Sequence, residues 1–135
     1  MTELLTENEC TELLKIARET IVSYVTSGKV PTVKTASRGL NLETGCFVTI
    51  KQRGGLRGCI GNFVSDKPLC KLVQEMAVSA ATQDPRFYPM KAHDLDDFEV
   101  DISVLSPLEK AASVEEIKVG THGIYIVKGL SLIHI

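Results

Sequence analysis

The stretch from Cys46 to Phe63 constrains the fold more than any other part of the chain. CFVTIK, at Cys46–Lys51, is rich in β-branched and aromatic residues and predicts a strand. QRGG, at Gln52–Gly55, predicts a turn, and Leu56–Phe63 returns as a second, antiparallel strand. The returning arm contains LRGCIG, Leu56–Gly61. Gly58 and Gly61 weaken it as regular strand and predict a bulge or a close backbone approach. They also leave the thiol between them within reach. In an extended segment Arg57 and Cys59 share a face, and a guanidinium beside a thiol favours the thiolate. Cys59 is thus a candidate nucleophile or redox thiol, with Arg57 as its activator. Against this, free cysteine is among the most buried residue types, and glycines often serve only the backbone.

Thr6–Thr26 reads as a first helix, with Thr6 and Glu9 as a capping box and Ser27-Gly28 as the stop. Cys10, Leu13, Leu14, Ala17, Ile21 and Val25 fall on one stripe, which predicts a buried Cys10. Lys29–Thr44 reads as a connector. Asp66–Ala81 predicts a second helix capped by Asp66, with Pro68 in its first turn. Leu69, Leu72, Val73, Met76, Ala77, Ala80 and Ala81 form its apolar stripe, with Cys70 beside it.

DPRF, Asp84–Phe87, is a second candidate site. Asp84 and Arg86 read either as a pair holding a helix end to a loop or as a clamp for an anion in a cleft. Phe98, Val100, Ile102 and Val104 alternate with Glu99, Asp101 and Ser103, the pattern of a half-buried antiparallel strand ending at Ser106-Pro107. The acidic run Asp94, Asp96, Asp97, Glu99 and Asp101 reads as a solvated face, and no metal motif is present. VEEIKV, Val114–Val119, leads to GTHG, where His122 is a candidate base for Cys59 before a strand at Ile124–Lys128. His93 stands in an acidic loop without an evident partner.

The 135 residues are one domain's worth. With 15 basic and 17 acidic residues the net charge is −2, so no basic field exists to hold a nucleic acid. Only 5% of residues are aromatic and none is Trp, which also weakens any base-stacking platform. No apolar run is long enough to span a bilayer, and the acidic start MTELLTENEC carries no signal segment, so a cytoplasmic location is expected. Cys10, Cys46, Cys59 and Cys70 are irregularly spaced and read as free thiols. A bridge between Cys46 and Cys59 depends on hairpin register.

LRGCIG, DPRF, FEVDISVLSP at Phe98–Pro107 and GTHGIYIVKG at Gly120–Gly129 together resemble the AMMECR-domain family, whose bacterial and archaeal members look like protein A of the AmmeMemoRadiSam system. The resemblance runs to about Gly129. It implies an α+β (mixed α/β) fold, a largely antiparallel sheet with packed helices, in two unequal subdomains. The cleft between them would carry Gly58, Gly61, Asp84 and Arg86. LSLIHI, Leu130–Ile135, departs from the family and resembles an adapter-derived tail, so residues 1–129 are expected to form a domain incomplete at its C-terminus. The strand ending at Lys128 is then expected to lack its sequel and to leave an unpaired edge. The resemblance implies no cofactor. It implies a partner module for a Memo-like protein and a radical S-adenosylmethionine (SAM) enzyme. The other readings are catalysis by Cys59 and an RNA-modification accessory role.

Overall fold

The computed structural model describes residues 5–106, 125–128 and 131–134. Its centre is the predicted hairpin, Cys46–Gln52 (β1) and Gly55–Asn62 (β2), joined by Arg53 and Gly54 alone. Both loop residues have positive φ, 51° and 77°, as the tightest hairpin turns require. Gly54 takes this conformation freely, whereas a side-chain-bearing residue there costs about 1 kcal/mol. The Arg53 side chain is 89% exposed, and its ion pair with Asp97 at 3.9 Å is too loose to offset that strain. Arg53→Asn is therefore expected to raise stability by about 0.5–1 kcal/mol, read as a higher urea midpoint at unchanged slope.

Glu99–Val104 (β3) pairs antiparallel on the other side of β1, giving the sheet order β2-β1-β3. Alternation then sets the faces. Cys46, Val48 and Ile50 are fully buried on one side, opposite the half-buried Val104, Ile102 and Val100. Two helices, Glu7–Ser27 (α1) and Leu69–Thr82 (α2), pack on each other and cover that side.

The capping box forms as expected: Glu9 N–H donates to Thr6 Oγ1 (3.2 Å) and Thr6 N–H to Glu9 Oε1 (2.9 Å). The buried stripe of α1 is Leu13, Ile16, Ala17, Thr20 and Ile21. Cys10 and Leu14 are exposed, which corrects the expectation of a buried Cys10. The connector covers the first turn only on Glu9's side, where Glu9 Oε2 accepts the Ser37 hydroxyl and the Gly39 N–H. These bonds, Ser37 foremost and Thr6 next, bring the Glu9 carboxyl down to about 2.

On α2 the predicted stripe from Leu69 to Ala81 is buried, and Cys70 with it. Its start differs from the expectation: the helix begins at Leu69 behind an extended Pro68, and Asp66 makes no cap. The Leu69 N–H, which an acidic cap would have answered nearby, is taken by the Leu42 carbonyl at 2.8 Å. Tyr125–Lys128 (β4) pairs antiparallel with Ser131–His134 (β5), so the strand expected to lack a sequel has one. Val114–Val119 and His122 lie outside the described residues.

Candidate functional site

Pairing between β1 and β2 slips by one residue between Ile50 and Lys51. Ile50 faces Gly58, Lys51 faces Leu56, and Arg57 is the extra residue of a bulge. Without the slip, counting back from the Arg53-Gly54 turn sets Cys59 opposite Val48 on the core side. With it, Cys59 stands opposite Thr49 on the side away from the helices. Gly58 faces α2 instead, and a β-carbon there would lie 2.1 Å from the Ala80 carbonyl oxygen. One at Gly61 would lie 2.4 Å from both the Cys46 carbonyl oxygen and Phe47 Cγ. The predicted bulge and close approach are both present.

Cys59 is half-buried, and its sulfur is 3.2 Å from the Thr49 hydroxyl. Its backbone is turned away from β1. The N–H donates to Asp84 Oδ2 at 3.0 Å, and the carbonyl accepts Arg86 Nη2 at 3.4 Å. In an antiparallel ladder, pairs turned outward in this way bring their side chains closest together, which accounts for the thiol–hydroxyl contact.

Asp84 is 4% exposed and follows the end of α2 directly. Besides the Cys59 amide it accepts Arg86 Nη2 (2.7 Å), Arg86 Nε (3.0 Å) and the Arg86 N–H (3.1 Å). The Arg86 fork first, and the Cys59 and Arg86 amides after it, hold this carboxyl well below the usual carboxylate range despite its burial. Burial alone pushes the Cys46 thiol the other way, up to about 12.

The guanidinium brought to Cys59 is therefore that of Arg86. Arg57 points elsewhere: its Nη2 donates to the Tyr88 carbonyl at 2.7 Å and lies 3.7 Å from Asp94 Oδ2. Its guanidinium carbon is 5.9 Å from the centre of the Phe87 ring, and its buried Nη1 has no hydrogen-bond partner among the described residues. The expected contact of Arg57 with the thiol is absent among the described residues, because the bulge interrupts the alternation that predicts it. Cys46 faces the core and Cys59 the opposite side, so the two cannot bridge. His93, read as unpartnered, has Nε2 3.7 Å from Asp94 Oδ1. No cluster of His, Cys, Asp and Glu among the described residues could hold a metal ion.

Sequence reasoning missed Thr49, and only hairpin register including the bulge could have found it. A groove of about 370 Å³ runs along α2 between Val30, Gln74 and Val78, and no LRGCIG residue lines it. No helix of the described residues is long and apolar enough to cross a membrane.

Comparison with known proteins agrees with this architecture. The family model described as AMMECR1 matches residues 14–132. A Methanopyrus kandleri protein is 40% identical, the alignment spanning 96% of this chain and 67% of its own length. A Thermotoga maritima protein is 39% identical over 86% of this chain and 69% of its own. The crystal structure of an uncharacterized Pyrococcus horikoshii protein superposes with a TM-score of 0.88 at 31% identity, covering 96% of this chain and 70% of that one. With its hairpin, its helices and most of its length matched in this way, the chain belongs to the AMMECR1 family.

Proposed function

We propose that this chain is a partner module whose outer sheet face presents the Cys59 thiol to other proteins. The partners implied by its resemblance are a Memo-like protein and a radical SAM enzyme. One observation carries the choice of binding over catalysis. Among the described residues the only acid hydrogen-bonded to Cys59, Asp84, is fully engaged by the Cys59 amide and Arg86, so it holds the strand and does not take a proton from the thiol. A thiol with a hydroxyl on one side and a clamped backbone on the other is a rigid recognition feature. Co-purification of the tagged chain, and of a full-length relative, with the two proposed partners tests this. Capture that weakens on Cys59→Ser and Arg86→Ala is the expected result, and no complex at high protein concentration would sink it. Cys59→Ser itself should change stability by less than about 1 kcal/mol, because serine keeps a polar contact with Thr49; a thermal melt checks this.

A second reading, Cys59 as nucleophile or redox thiol, is favoured by the nearness of Arg86. It expects Arg86→Ala to slow alkylation of Cys59 at neutral pH several-fold. An unchanged rate removes it.

A further inference from the structure

Among the described strands β2 is an edge, with β1 on one side and no strand on the other. Edge strands present backbone donors and acceptors that pair readily with another chain. Here the outward N–H and C=O of Cys59 are both answered by side chains of one dipeptide-spaced pair. Asp84 Oδ2 takes the N–H and Arg86 Nη2 reaches the C=O. A carboxylate accepting from an amide and a guanidinium donating to the same residue's carbonyl reproduce what one residue of an adjoining strand would do. The pair is held to itself by two further bonds, at 2.7 and 3.0 Å, so the imitation is rigid. A second device lies two residues earlier, where the Arg57 bulge twists the edge. Exposed apolar side chains flank this guarded stretch: Leu56 is 46% exposed and Val64 66% exposed.

We infer that the Asp84–Arg86 pair is an edge plug: it takes the place of a neighbouring strand at Cys59 and keeps β2 from pairing with a second copy of this chain. The occupant it excludes is identical because an edge can always pair antiparallel with itself about a two-fold axis. In such a pairing centred on Cys59, the two Cys59 residues face one another.

The test combines association with position. In a Cys10→Ser background, which removes the exposed thiol and leaves the half-buried Cys59, Arg86→Ala and Asp84→Ala are compared with the parent chain by sedimentation velocity and by mild oxidation followed by peptide mapping. Leu13→Ala, remote from the edge, serves as the control for mere loss of stability. Both plug variants are expected to self-associate about tenfold more tightly, the factor one exposed hydrogen-bonded pair is worth, and to form a Cys59–Cys59 disulfide. Leu13→Ala should show no such selectivity. Plug variants that stay monomeric, or that associate without favouring the Cys59 bridge over the control, overturn the inference.

Discussion

Gly58→Ala is expected to lower stability by about 3 kcal/mol, a large share of the roughly 5–15 kcal/mol margin of a folded domain. The added β-carbon would lie 2.1 Å from the Ala80 carbonyl oxygen and 3.0 Å from its carbonyl carbon. Both are backbone atoms of α2, so relief requires the helix and the strand to part; no side chain can simply swing aside. Gly55→Ala is the control within the same strand, since its nearest contact would be the Gln52 carbonyl oxygen at 3.6 Å, an ordinary distance. Urea denaturation of the two should differ by several-fold in free-energy loss. Equal midpoints would mean that β2 and α2 do not meet as described.

Asp84→Ala is expected to cost about 3 kcal/mol at neutral pH. It strips a nearly buried amide at Cys59 of its acceptor, frees Arg86, and leaves a void at the end of α2. Arg86 is 55% exposed and regains water, so the loss falls mainly on the strand and the vacated space. The pH dependence follows from the depressed carboxyl. A group whose pKa is lower folded than unfolded stabilises fully above the unfolded value, near ~3.9 for Asp, and loses that contribution as pH falls through the folded value. The deficit of Asp84→Ala should therefore be constant from neutral pH down to about 4 and shrink below it. Glu9, brought down to about 2 by its own hydrogen bonds, remains in both proteins and cancels in the difference. Denaturant midpoints at neutral pH and at pH values on either side of the unfolded carboxylate value decide it; a deficit that persists unchanged into strong acid would contradict the assignment.

The elements were legible where pattern and packing agree. Alternation located β3, the Thr6–Glu9 box located the start of α1, and the stripe on α2 is buried residue for residue. Positions failed where a non-local contact overrode a local signal. Asp66 had the chemistry of a cap, but Leu42 reached the Leu69 amide across the fold. Cys10 sat on an apolar stripe, yet the connector covers only the Glu9 side of that turn.

At the site the decisive feature was one residue of register. The glycines announced an irregular strand, and they could not say where the extra residue falls. Placing it at Arg57 sends Arg57 to Tyr88 and Asp94, turns Cys59 to the outer face, and assigns its guanidinium neighbour to Arg86. DPRF was legible as an Asp–Arg pair; that it grips the LRGCIG strand depends on a chain reversal that no short window of sequence records.

A single bulge brings the Cys59 sulfur out of the core and onto the outer, hydrogen-bonded face of the sheet. Native-state alkylation at neutral pH, followed thiol by thiol by mass spectrometry, tests it most directly. Cys59 should label on the timescale of the exposed Cys10 while Cys46 and Cys70 stay protected until the chain unfolds. Protection of Cys59 to the level of Cys46 would contradict the account.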